Sequence, residues 1–156
     1  MSLFENVKKN FGLGCMRLPM KGDEVDCGEF CRMVDYFMES GFNYFDTARV
    51  YLGTKSESAI RDCIVRRYPR ESFILTDKLS SSLFNSEEEI RPLFELQLES
   101  CGVDYFDFYL MHAQSKNIFE KYKKCRAYEQ AMEFKKEGRI HKQNSGENTH
   151  GKQSKI

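Results

Sequence analysis

No uninterrupted apolar run in this 156-residue chain approaches the roughly 20 residues that a membrane-spanning helix needs. The opening segment, MSLFENVKKN, has no apolar stretch long enough for a secretory signal. Neither sign of charge is in excess: 24 basic side chains stand against 24 acidic ones, and the isoelectric point is about 6.8. That balance gives no electrostatic footing for a nucleic acid or a membrane surface, so neither is expected as a partner. The six cysteines, at 15, 27, 31, 63, 101 and 125, include no CxxC pair. Free thiols in a reducing cytoplasm are the expectation, each filling core space as a small hydrophobe. The three histidines, 112, 141 and 150, do not cluster with other ligands, and no metal site is expected.

What is present is a globular composition, 40% hydrophobic and 31% charged, in a length that suits one compact domain. Short apolar runs alternate with segments of helical period. FGLGCM (11–16) reads as a short strand or turn. Phe30, Met33, Val34, Phe37 and Met38 then follow the spacing of an amphipathic helix, with Gly41 placed to stop it. A brief strand is expected at 43–45. Thr54 with Glu57 has the spacing of a capping box for a helix reaching about Arg67. Strand character returns at 73–76. Ser86 with Glu89 suggests a second capping box, ahead of a helix through Ile90, Phe94, Leu98 and Cys101 that Gly102 closes; Pro92 should make it start late or kink. Residues 105–111 are the clearest strand, and a last helix is expected over 126–137 before Gly138. This βαβαβα order implies parallel strands joined by helical crossovers, hence an α/β fold. Strand order alone would separate a doubly wound sheet from a (β/α) barrel.

Three strand runs end in an ionisable residue: Asp46, Lys78 and His112, at intervals of 32 and 34 residues. Parallel strands bring their C-terminal ends to one edge, where α/β folds place active sites. Tyr51, in the loop after Asp46, could reach the same edge. Taken singly, each has an ordinary explanation: a turn residue, a surface lysine, a rim histidine, a packing tyrosine. Taken together they form a coherent set. An aspartate partners a buried ammonium. A cationic lysine beside a phenol stabilises the phenolate and makes the phenol a usable proton donor. A neutral imidazole orients a carbonyl oxygen. Carbonyl reduction or alcohol oxidation fits that set, with a cofactor supplying the hydride.

At this point the sequence resembles the aldo-keto reductase family. The resemblance is carried by FGLGCMR (11–17), GFNYFDTA (41–48) with Tyr51 and Gly53, Ser56-Glu57, TDK (76–78), LESCGVDYFDFYLMH (98–112) and KEGRI (136–140), in family order and spacing. The wording is most similar to a bacterial branch that often carries a C-terminal iron–sulfur module, which this chain does not contain. The resemblance implies a (β/α)8 TIM barrel that binds NADPH or NADH and acts on a small carbonyl or alcohol substrate. It implies Tyr51 as general acid, Lys78 and Asp46 as the pair that tunes it, and His112 as the residue that orients the carbonyl. Gly14, Cys15 and Met16, with Asp46, match the cofactor-binding segment. A glycine-rich dinucleotide fingerprint is absent, as such a barrel implies. A full barrel takes about 250 residues, so residues 1–140 are expected to form about four βα units, a truncated half-barrel. Residues 141–156, HKQNSGENTHGKQSKI, are almost without apolar side chains and are expected to be a disordered tail. Three functional expectations stand: a cytoplasmic oxidoreductase, an inactive half-barrel that only self-associates through exposed barrel edges, or a small doubly wound α/β binding module, which strand order would distinguish.

Overall fold

The computed structural model describes residues 6–143. Five parallel strands form its main sheet: β1 (Gly12–Gly14), β4 (Tyr44–Asp46), β5 (Ile74–Leu79), β6 (Phe106–Met111) and β7 (Ile140–Gln143). A two-stranded antiparallel ribbon, β2 (Met20–Lys21) with β3 (Glu24–Val25), follows β1. The helices are α1 (Cys27–Glu39), α2 (Lys55–Ile60), α3 (Ile90–Cys101), α4 (Lys116–Lys124) and α5 (Ala127–Lys136). Each main strand pairs with the one before it, so the spatial order is the chain order, β1-β4-β5-β6-β7. A doubly wound sheet would reverse direction at a switch point. Among the described residues no reversal occurs, and the sheet grows one way, as a barrel wall does.

Local chemistry accounts for most of the element ends. Asp26 caps α1 by accepting the N–H of Glu29 at 3.0 Å. Gly41, at φ 82°, supplies the left-handed residue beyond it. Gly102 closes α3 at φ 70°, with the stem of Arg61 laid against it. Pro92 falls in the first turn of α3, where its missing N–H costs no helical bond. The expected late start is therefore what forms, preceded by a tight turn over Glu87–Glu89.

Neither expected capping box forms. Thr54 stands at φ 79° with no side-chain cap, and Glu57 is buried against Arg49 instead. Ser86 makes no cap bond either, while the Glu89 carboxylate accepts from the N–H of Asn85 at 2.7 Å. After Ile60 the helix widens into a π-type turn over Arg61–Val65. The expected boundary at residue 140 also shifts: β7 continues through Gln143, paired in parallel with β6. Backbone pairing carries those polar residues into the sheet, which their composition did not reveal. The remainder of the expected tail, 144–156, lies outside the described residues.

The core lies between the sheet and its helices. Phe45, Leu75, Phe106 and Tyr109 of the strands meet Phe30, Val34, Phe94, Leu98 and Phe134 of the helices, all buried. Phe94 is the hub, stacked on Phe134 at 4.1 Å and edge-on to Tyr109 at 5.0 Å. Burying one such ring contributes about 1.5–3 kcal/mol, which fixes α3 and α5 over β6. With the helix side filled, Asp46 and Lys78 are left to stand at the strands' C-terminal edge.

Candidate active site

Asp46 is the last residue of β4, and Lys78 lies one residue from the end of β5. The β4 ladder ends with Asp46 opposite Thr76, so Lys78 extends past its neighbour and its side chain folds back over β4's end. Its ammonium nitrogen is 2.5 Å from Asp46 Oδ1, 2.8 Å from the Thr47 carbonyl oxygen and 3.2 Å from the Tyr51 hydroxyl. An ammonium has three hydrogens to give, and here three oxygens receive them. The lysine side chain is only 12% exposed, so this pairing matters more than a surface ion pair would.

Tyr51 begins a tight turn in which Leu52, Gly53 and Thr54 all take positive φ, at 51°, 61° and 79°. Two of those three carry a Cβ, and each such residue costs about 1–2 kcal/mol. The strained turn brings the phenol back over the strand ends. The Lys78 ammonium also lies 4.9 Å from the centre of the Tyr51 ring. His112 follows β6 and meets the Tyr51 ring edge-on, with centroids 5.6 Å apart and planes at 87°. Its Nδ1 is 2.8 Å from Ser80 Oγ. Tyr122 of α4 braces this end of the sheet: its hydroxyl is 2.6 Å from the Leu79 carbonyl oxygen and 2.9 Å from that of His112. Burial first, and then the Lys78 charge, hold the His112 imidazole below its ordinary value, so it is neutral at pH 7.

All four residues singled out in the sequence thus meet at one edge. Gly14 and Met16 lie beside them, at the end of β1. A Cβ built on Gly14 would meet nothing within 4 Å, and Met16 is exposed. Cys15 differs from its neighbours: its thiol is buried in the core and pushed up to about 12, chiefly by burial. The segment is tied down by Cys15 N–H donating to Asp46 O at 2.8 Å and by Ser56 Oγ donating to Cys15 O at 2.8 Å. The open space against the Gly14 backbone is compatible with a flat ring laid there.

Sequence reasoning missed Ser80 and Tyr122. Ser80 lies two residues past Lys78, a signal that was available once Lys78 was placed at a strand end. Among the described residues no helix is long and apolar enough to cross a membrane.

The sequence profile of the aldo/keto reductase family matches residues 10–146, and the chain belongs to that family. Among its relatives, 4-dihydromethyl-trisporate dehydrogenase of Mucor mucedo is 33% identical over 106 residues, which is 65% of this chain and 30% of that protein. The NAD(P)H-dependent D-xylose reductase of Pachysolen tannophilus is 30% identical over 106 residues, 65% of this chain and 29% of that one. Among solved structures, an aldo-keto reductase from Bacillus halodurans in its holo form superposes with a TM-score of 0.66 at 28% identity, over 85% of this chain and 44% of the other. An aldo-keto reductase from Klebsiella pneumoniae in complex with NADPH gives 0.64 at 19% identity, over 85% and 43%. The fold is thus that of the aldo-keto reductase barrels. This chain spans less than half the length of these relatives.

Proposed function

We propose that this chain carries the proton-transfer side of an NAD(P)H-dependent reduction of an aldehyde or ketone to an alcohol, with Tyr51 as the acid. The observation that chiefly supports this is the Lys78 ammonium, held 2.5 Å from Asp46 and 3.2 Å from the Tyr51 oxygen. Because the phenol oxygen accepts from Lys78, its own hydrogen turns away from the lysine and is free for a carbonyl oxygen. As that proton leaves, the adjacent ammonium stabilises the phenolate left behind. Asp46 keeps the ammonium in place throughout. In this reading Ser80 donates to Nδ1 of a neutral His112, which leaves the hydrogen on Nε2 to orient the same carbonyl oxygen. Gly14, Met16 and Asp46 would hold a reduced nicotinamide, NADPH or NADH, which would supply the hydride to the carbonyl carbon. The relatives' names, a dehydrogenase and an NAD(P)H-dependent reductase, support the reading.

The test is steady-state NADPH oxidation with a simple aldehyde, using this chain alone and joined to a family-like second half. The joined protein should turn over, and Tyr51→Phe in it should lose about 10²–10⁴-fold. Unchanged turnover in Tyr51→Phe would overturn the assignment.

One observation favours a second reading for the 156-residue chain by itself, that of a non-catalytic, self-associating half. Among the described residues β1 pairs only with β4, and β7 only with β6. Open strand edges invite pairing with another copy. Light scattering showing a dimer without cofactor binding would favour it.

A further inference from the structure

On the helix-facing side of β5, behind Lys78, lies a second set of ionisable groups that the proton relay does not use. Glu57 of α2, Asp77 of β5 and Cys101 of α3 are fully buried, and one ligand atom from each lies within 4.8 Å of the others. Glu57 Oε2 accepts from Arg49 Nη1, which also donates to Ser100 Oγ at 2.7 Å. Asp77 Oδ1 accepts the backbone N–H of Lys78 at 2.7 Å, and Cys101 Sγ faces Asp77 Oδ2 from 3.9 Å. Glu57 Oε1 is buried with no donor. The charged and titratable groups facing the pair are Arg49 from the loop after β4, Lys78 from β5, Cys101 from α3 and Tyr109 from β6.

Counting charges decides the state of this cluster. Two buried carboxyls share one guanidinium, while the Lys78 ammonium is committed to Asp46. Two adjacent carboxylates in a dry interior cannot both stay ionised, and a buried carboxylate oxygen without a donor is costly. A single proton between them removes the repulsion and gives Glu57 Oε1 its partner. Burial, and then the Glu57 charge, push the Asp77 carboxyl well above the usual range. Burial also raises Glu57, against the pull of Arg49.

We propose that Glu57 and Asp77 hold one proton between them at neutral pH, through Glu57 Oε1 and Asp77 Oδ2, and that this acid pair positions Lys78. The positioning role rests on Lys78 belonging to the relay; the shared proton does not. Past the end of the β4 ladder, side chains take over the backbone of Lys78. Asp77 Oδ1 receives its N–H, and Gln97 Nε2 donates to its carbonyl at 3.0 Å. Gln97 is itself fixed by the Tyr109 hydroxyl at 2.6 Å. A neutral Asp77 can accept that N–H without setting a second negative charge beside the lysine, so Asp46 alone answers the ammonium.

Infrared spectroscopy of the 156-residue chain should show a protonated-carboxyl C=O band at neutral pH that disappears only on alkaline titration. Asp77 takes up its proton more readily in the folded chain than in the unfolded one. Its contribution to stability is therefore present at low pH and lost as pH rises through the folded value. Asp77→Asn keeps both an acceptor for Lys78 N–H and a donor for Glu57 Oε1. It should remove the band, flatten that pH dependence and preserve slow exchange of the Lys78 amide. Asp77→Ala should speed that exchange at every pH. The inference fails if wild type lacks the band, if Asp77→Asn retains it, or if Asn and Ala expose the Lys78 amide equally. Stoichiometric Zn2+ or Mn2+ binding that abolishes the band would overturn it in favour of a metal site. The wild-type titration decides the proton even if a variant does not fold. None of these readouts uses carbonyl turnover, so failure here and failure of the Tyr51 assignment are told apart.

Discussion

Ser80 Oγ lies 2.8 Å from His112 Nδ1, and this one contact selects the ring nitrogen that His112 can offer to anything else. A hydroxyl bonded at Nδ1 fixes the ring orientation and leaves Nε2 as the outward group. In Ser80→Ala that selection is lost. Nitrogen chemical shifts of His112 should then report a mixture of tautomers where wild type shows one. A single, unchanged tautomer in Ser80→Ala would show that the serine does not set it.

The same histidine gives a pH expectation. Burial and the Lys78 charge depress its proton affinity, so in the folded chain it titrates below 6.5. The stability it contributes is full above the unfolded value and lost as pH falls through the folded one. An NMR titration finding His112 protonated at pH 7 would contradict this.

Lys78→Met removes the donor shared by Asp46, Thr47 O and Tyr51. In a protein competent for turnover, the rate should fall at least about 100-fold. Lys78→Arg should not restore it, because a planar guanidinium cannot reproduce the three-way geometry of an ammonium. Activity in Lys78→Arg near that of wild type would argue that only the charge matters.

Phe94→Ala empties the centre of the aromatic cluster against Phe134, Phe106 and Tyr109. A loss of about 3–5 kcal/mol is expected in urea unfolding. A loss below about 1 kcal/mol would mean that the layer between sheet and helices is looser than the stacking indicates.

Cysteine reactivity should follow burial. Cys27 is exposed, whereas Cys15, Cys63, Cys101 and Cys125 are buried. Burial pushes the Cys15 thiol up to about 12 and raises Cys101 well above its ordinary value. Timed alkylation read by mass spectrometry should mark Cys27 first and the buried four only on unfolding. Early labelling of Cys15 would place its sulfur at the site rather than behind it.

The candidate site was legible in the sequence because it obeys a repeat. Asp46, Lys78 and His112 recur one strand–helix unit apart, and parallel pairing turns near-equal intervals into a common edge. Sheet order was not legible in the strand–helix alternation, which a doubly wound sheet shares; the family resemblance supplied it. The capping boxes misled because Glu57 has a stronger claim on it from Arg49, a contact made only in the folded chain. Helix α4, KNIFEKYKK, escaped notice because Tyr122 is its one buried residue; the signal present was Ser115, whose hydroxyl accepts from Ile118 N–H. The acid pair needed the structure, since strand alternation sets Asp77 on the opposite side from Lys78 but nothing in the sequence brings Glu57 of α2 against it.

The one-way strand order has a consequence for how the molecule is made. Every main strand pairs with the strand synthesised just before it, so a growing chain never waits for a distant partner. Each closure spans only one crossover, and domains fold from the N-terminal side as they emerge. Asp46, Tyr51, Lys78 and His112 all belong to one continuous stretch of 67 residues, 46–112. The ammonium, its carboxylate, the phenol and the imidazole can therefore come together from β4, β5 and β6 alone, before β7 has paired.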